Sequence, residues 1–314
     1  MVIKPEVLYV GDGPSWYLER FAQHFTLRQL ADADPAALDP AIANRIQALI
    51  AAAPVSATLM DRLPSLRLIA NGGAGYEKID VDAACSRGIA VTNTPNVTDG
   101  CVADMVFALL LAVTRNIVAG DRFIRDGRWP NGSFPLVPRV NGKRMGILGL
   151  GRIGLAIAKR AQAFDMEVSY CNRRSNKDLP FAFRSSPEAL ARDCDFLVVA
   201  CPGGVATHHL VDSNVLAALG PRGVVVNISR GSVIDEQALI EALAQGRIAG
   251  AGLDVFEEEP NVPVQLRALD NVVLMPHRGG GTYETWEDAC DLVKANLSAF
   301  FNGQPLLTPV TSAA

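Results

Sequence analysis

Apolar residues along this chain fall in short runs, separated by longer stretches whose apolar positions recur with a helical period. The runs at 6–10, 46–51, 66–70, 144–148, 167–171, 195–200, 223–228, 250–255 and 271–275 are rich in Val, Ile, Leu and Ala. Such continuous runs read as strands covered on both faces. Helical spacing marks 154–164, 235–245 and 282–301. Strand and helix in alternation build βαβ units and parallel sheets. The pattern predicts an α/β chain with two doubly wound parallel-sheet domains. Segment 98–116 is apolar almost all round and predicts a helix buried between domains or between subunits. Segment 128–142 carries Trp129, three prolines and two glycines. It predicts an irregular stretch, either a plain surface loop or an arm that clasps another subunit.

Length and charge narrow the class. With 314 residues the chain can bury two cores, and its net charge of -4 argues against nucleic acid or an anionic membrane as partner. The first apolar segment, 7–10, is too short for a secretion signal, and the longest apolar run, 105–113, is far below the roughly 20 residues of a membrane span. Cys85, Cys101, Cys171, Cys194, Cys201 and Cys290 form no CxxC pair and read as buried thiols in a reducing, cytoplasmic compartment. His24, His208, His209 and His277 show neither HxxxH nor HExxH spacing, so no metal is expected.

The first chemical signal is Gly149-Leu-Gly-Arg-Ile-Gly154, which follows the run 144–148 and opens a helix. In that setting it is the dinucleotide fingerprint. Gly149 allows a tight turn, Gly151 lets backbone N–H groups approach a pyrophosphate, and Gly154 lets helix pack on strand. The helix N-terminus adds free donors and partial positive charge. The next strand, 167–171, ends in Asn172-Arg173-Arg174-Ser175. An NAD site normally places a carboxylate there for the ribose 2′-OH. Two guanidiniums in its place suit a 2′-phosphate, so NADP(H) is predicted over NAD(H), which stays possible.

The second signal is three polar residues just past strand ends: Arg230 after 223–228, Glu259 after 250–255 and His277 after 271–275. Open α/β sheets bind ligands at those ends. Arg230 can hold a carboxylate and polarise a neighbouring carbonyl. His277 can give the carbonyl oxygen a proton as hydride arrives, and Glu259 can orient the imidazole.

Taken with Val91-Thr-Asn-Thr-Pro-Asn96, Val226-Asn-Ile-Ser-Arg-Gly231, Gly252-Leu-Asp-Val-Phe-Glu-Glu-Glu-Pro260 and Pro276-His277, these motifs make the chain resemble the D-isomer-specific 2-hydroxyacid dehydrogenase family over nearly its whole length. The resemblance is nearest to glyoxylate/hydroxypyruvate and hydroxyphenylpyruvate reductases. It implies Arg230, Glu259 and His277 as catalytic residues, with Glu259 chosen among three consecutive glutamates as the one before proline. It implies that Asp254 meets the nicotinamide carboxamide and that Arg152, Ile153, Cys201, Pro202, Ile228, Ser229 and Gly279 also border the cofactor. It implies that Gly73, Ala74 and Gly75, with Arg230 and His277, hold a small 2-keto or 2-hydroxy acid. It further implies a Rossmann cofactor domain, 99–287, inserted in a flavodoxin-like substrate domain, 1–98 and 288–314, and a homodimer with the 98–116 helix in its interface. The activity implied is NADPH-preferring reduction of small 2-keto acids to D-2-hydroxy acids. The alternative is a nucleotide-sensing interaction protein, as in the family's C-terminal-binding corepressors. Three positions depart from the family's pattern: Arg278 where an apolar residue is common, Asp99-Gly100-Cys101 where a Thr is usual unless Thr98 takes its place, and Trp286 where relatives often have Arg.

Overall fold

The computed structural model describes residues 4–31 and 33–310, so the extreme ends of the chain lie outside the described residues. The chain divides into two compact units, Met1–Thr98 with Thr282–Ala314, and Asp99–Gly281.

The first unit holds β1 (Glu6–Val10), β2 (Thr26–Leu30), β3 (Ala48–Ala51), β4 (Leu68–Asn71) and β5 (Ala90–Thr92) in the order β2-β1-β3-β4-β5. Every neighbouring pair is parallel, which is the flavodoxin-like winding. Helix Tyr283–Phe301, capped by the Thr282 side chain on the Thr285 N–H, lays Cys290, Val293 and Leu297 against Val7, Tyr9, Ile50 and Leu68. The expected boundary at 287/288 falls inside this helix, whereas the compact units part before its cap, at Gly281/Thr282. Trp286 stacks edge-on to Tyr17, 5.2 Å between ring centroids, in an aromatic cluster with Trp16.

The second unit holds β6 (Arg144–Leu148), β7 (Glu167–Cys171), β8 (Ala182–Phe183), β9 (Phe196–Val199), β10 (Val224–Asn227), β11 (Gly250–Leu253) and β12 (Val272–Leu274). Their order is β12-β11-β10-β9-β6-β7-β8, all parallel. This is the Rossmann winding with its switch point between β6 and β9. The two sheets establish the α/β architecture of two doubly wound domains.

Helix Asp99–Thr114 is buried, as its composition demands, but the cover comes from its own unit. Val102, Val106, Leu109, Leu110 and Val113 join one cluster with Met145, Ile147, Val198 and Val226 of the sheet beneath. Glycines in β11 make room for it: a Cβ on Gly252 would stand 2.8 Å from the Leu109 Cβ, and one on Gly250 would stand 2.8 Å from a Val113 methyl. Exposed apolar side chains come next in the chain, at Ile117, Val118, Ile124, Trp129 and Leu136. Segment 128–142 is irregular apart from a short 3-10 turn, Trp129–Asn131. Among the described residues, no single helix is long and apolar enough to cross a membrane. Cys171, Cys194, Cys201 and Cys290 are buried; Cys85 is exposed and Cys101 half-buried, against the expectation that all six fill the core.

Candidate active site

The glycine fingerprint sits where β6 gives way to helix Arg152–Ala163. Gly149 has φ +100°, and a Cβ there would stand 2.4 Å from the Cys201 backbone nitrogen, so glycine alone fits this turn beside the loop after β9. A Cβ on Gly154 would meet the Gly149 carbonyl oxygen at 2.5 Å. At Gly151, by contrast, an added Cβ meets nothing within 4 Å, and no side chain caps the helix. The first-turn N–H groups therefore face open space, which is what a pyrophosphate requires. These residues fit a dinucleotide. Cys201 lines the turn as a neutral thiol, since burial pushes its pKa up to about 11.

Asn172 is occupied locally. Its Oδ1 accepts the Leu150 N–H at 2.7 Å, bracing the glycine turn from the end of β7. Arg173, Arg174 and Ser175 follow, all exposed, and no carboxylate stands among them. Arg152 pairs with Asp99, Nε to Oδ2 3.5 Å, so the departure at Asp99 engages the first residue of the fingerprint helix. Ile153 is half-buried and Ile228 buried against the apolar cluster under the turn. Pro202 offers its carbonyl to the Thr207 hydroxyl at 2.8 Å.

Arg230, Glu259 and His277, the three residues expected to react, come from loops after β10, β11 and β12. His277 Nδ1 lies 2.8 Å from Glu259 Oε2, while Glu259 Oε1 accepts the Phe256 N–H at 3.1 Å. Both oxygens of Glu259 are thereby fixed. His277 holds a left-handed backbone, φ +53°, pinned by its N–H donating to the Asp254 carbonyl at 2.8 Å. Asp254 is 1% exposed, and its two carboxylate oxygens accept the N–H groups of Arg278 and Gly279, each at 2.7 Å. Burial pushes the Asp254 carboxyl up, and those two N–H groups pull it back. The residue expected at the carboxamide thus clasps the turn that presents His277. A Cβ on Gly279 would press on Asp254 Oδ2 at 2.9 Å.

Arg230 begins the next loop. Its Nη1 donates to the Ser229 carbonyl at 2.7 Å, and its aliphatic stem lies over Gly203, where a Cβ would meet Arg230 Cγ at 2.6 Å. Asn227 ties the loop together, accepting from the Ser229 N–H and hydroxyl and donating to the Arg230 carbonyl. Gly231 then packs directly on the Phe256–Glu257 backbone. One run of contacts joins Arg230–Gly231, Phe256, Glu259 and His277. Gly203 was not singled out from the sequence, and Asn227 and Gly231 were quoted only as parts of a family motif, without a role. Their signal is faint, because only the neighbouring loops show why those positions need those residues. Arg278 is exposed, with its stem folded onto Gly281.

In the other unit, Asn71 Nδ2 donates to the carbonyls of Gly73 and Gly75 at 2.7 and 2.8 Å, and Asn93 Nδ2 to that of Ala74 at 2.8 Å. These bonds hold the course of the loop by its carbonyls. Asn71 was not foreseen, and Asn93 was quoted only within the motif 91–96, without this role.

Comparison with known proteins fixes the family. Residues 107–279 match the family described as D-isomer specific 2-hydroxyacid dehydrogenase, NAD binding domain. The chain is 48% identical over 258 residues to hydroxyphenylpyruvate reductase of Plectranthus scutellarioides, covering 82% of each chain. The chain belongs to the D-isomer-specific 2-hydroxyacid dehydrogenase family. Among solved structures, the 2-hydroxyacid dehydrogenase of Ketogulonicigenium vulgare Y25 superposes with a TM-score of 0.93 at 45% identity, covering 99% of each chain. An NADPH-dependent glyoxylate/hydroxypyruvate reductase of Sinorhizobium meliloti, solved with NADP and malonate, gives 0.93 at 42% identity, covering 98% of this chain and 97% of its own. As a member of this family the protein is an NAD(P)-dependent 2-hydroxyacid dehydrogenase, and its second unit is the NAD-binding domain.

Proposed function

We propose that this dehydrogenase reduces small 2-keto acids of the glyoxylate and hydroxypyruvate type to D-2-hydroxy acids, with NADPH preferred over NADH. The observation that carries the reading is the His277–Glu259 pair, 2.8 Å between Nδ1 and Oε2. A carboxylate on Nδ1 fixes the ring and leaves Nε2, on the opposite edge, to hand a proton to the substrate oxygen. Arg230 takes the substrate carboxylate and steadies the negative charge that develops on the carbonyl oxygen. The backbone N–H groups of Gly73, Ala74 and Gly75 are the further donors expected to bind an anionic acid. When bound, the reduced nicotinamide supplies the hydride. The fingerprint N–H groups hold the pyrophosphate, and Arg173 and Arg174, with no carboxylate beside them, take the 2′-phosphate. The NADP-bound relative supports that preference. Asp254 is assigned to presenting His277. The exposed apolar residues Ile117, Ile124, Trp129 and Leu136 favour the homodimer that the resemblance implies.

A panel of glyoxylate, hydroxypyruvate, pyruvate and phenylpyruvate with NADPH and NADH tests the reading. The highest kcat/KM is expected for the first two acids with NADPH, and His277→Asn should cut kcat by about 10²-fold or more. If no 2-keto acid turns over, the nucleotide-sensing alternative takes its place.

A further inference from the structure

Outside the reactive loops, His208, His209 and Glu257 bring three metal-ligating side chains to one point, all ligand atoms lying within 4.8 Å of one another. The set is discontinuous: two adjacent histidines from the loop after β9 and a carboxylate from the loop after β11, 48 residues on. Zinc spacing rules look for ligands at fixed short separations, so a set split across 48 residues passed the expectation of no metal. His209 Nε2 lies 2.8 Å and His208 Nε2 3.9 Å from the same oxygen, Glu257 Oε1. The imidazoles stack with 3.8 Å between centroids and 24° between planes.

We propose that His208, His209 and Glu257 form a binding site for a divalent transition cation of the zinc type. A tetrahedral ion at about 2.0–2.1 Å from each ligand holds its donors about 3.3 Å apart. The two distances in hand, 2.8 and 3.9 Å, bracket that value, so one opens and the other closes by roughly half an ångström. Rotation of the two half-exposed rings about χ2 turns both Nε2 lone pairs toward the ion. Their exposure provides the entry path, and solvent completes the coordination shell.

The backbone under the ligands is already held. His209 keeps a left-handed conformation, φ +50°, with its N–H donating to the Ser232 carbonyl at 2.8 Å. The Glu257 N–H donates to Glu236 Oε2 at 3.4 Å, which adds a second carboxylate close by and favours a cation. Imidazole and carboxylate ligands without thiolate suit Zn²⁺, Ni²⁺ or Cu²⁺ rather than Mg²⁺ or Ca²⁺. An ion there would clip the loop after β9 to the turn that carries Glu259, two residues beyond Glu257.

Calorimetric titration of the untagged, chelator-treated chain with ZnCl₂ tests the proposal. The expected result is one Zn²⁺ per chain with a micromolar dissociation constant, a rise in Tm by mass action, and a tetrahedral visible absorption band when Co²⁺ replaces Zn²⁺. His209→Ala and Glu257→Gln should abolish binding while keeping the basal reductase turnover, which also shows that both variants fold. Absence of saturable Zn²⁺ binding to the unmodified chain overturns the proposal, as does binding that both variants retain.

Discussion

A methyl group on Gly231 would stand 1.8 Å from the carbonyl carbon of Phe256 and 2.0 Å from its oxygen. Both neighbours are backbone, so no rotamer change relieves the clash. The loop that starts at Arg230 and the loop that supplies Glu259 are thus seated on each other at a point only glycine can occupy. Gly231→Ala must push them apart, at about 1–3 kcal/mol for overpacking and roughly 5 °C in Tm. Misplacing Arg230 relative to Glu259 should cost about 10²-fold in kcat. Steady-state kinetics beside a melting curve check this, and an unchanged kcat would show that the seat does not govern the reactive groups.

Asp254 makes a second demand. Both of its oxygens accept backbone N–H groups, so Asp254→Asn sets an amide N–H₂ against a donor at one of them. The expected loss is about 1–3 kcal/mol of local stability. His277 rides on that turn, so kcat and its pH profile should change while the KM for the keto acid changes less. A variant with normal kcat and pH profile would return Asp254 to a purely structural place.

The proposed preference for NADPH rests on Arg173 and Arg174, exposed just past the end of β7. Arg173→Ala should raise the KM for NADPH by about tenfold, the weight of one charge-assisted contact, and leave NADH nearly untouched. Equal effects on the two cofactors would remove the 2′-phosphate from the account.

Acid stability offers an independent check on the NAD-binding unit. Partial burial pushes the Asp195 carboxyl up, but the Arg144 guanidinium and backbone N–H more than reverse this and leave it below its ordinary value. A carboxyl lowered by folding stabilises the protein above the ordinary aspartate range and loses that contribution as pH falls through its folded value. Asp195→Asn should therefore lower Tm by roughly 2 °C at neutral pH, for a contribution near 1 kcal/mol, with the difference shrinking in acid. Melting curves across pH measure it; a difference that grows in acid would have the wrong sign.

The sequence made the buried strands plain and three of the four edge strands, β2, β5 and β8, nearly invisible. β1, β6 and β7 match their apolar runs end to end, because both faces of each are covered. β2, with the sequence TLRQL, lies at a sheet edge and keeps only Leu30 buried, so no apolar run marks it. β5 and β8, also edges, are three and two residues long. The site divides in the same way. Gly149, Arg230, Glu259 and His277 carry their chemistry in their own side chains or local spacing. Gly203, Gly231 and the clasping role of Asp254 exist only through what faces them across the fold.

The close approach of Leu109 to Gly252 has a mechanical consequence. β11 has almost no side-chain mass there, and the helix above acts as its missing half. Two residues past Gly252 the chain reaches Asp254, and from there the turn that holds His277. A bulkier residue at 109, or any side chain at 252, would bear on that strand like a weight on a short lever, and the effect would register at the imidazole.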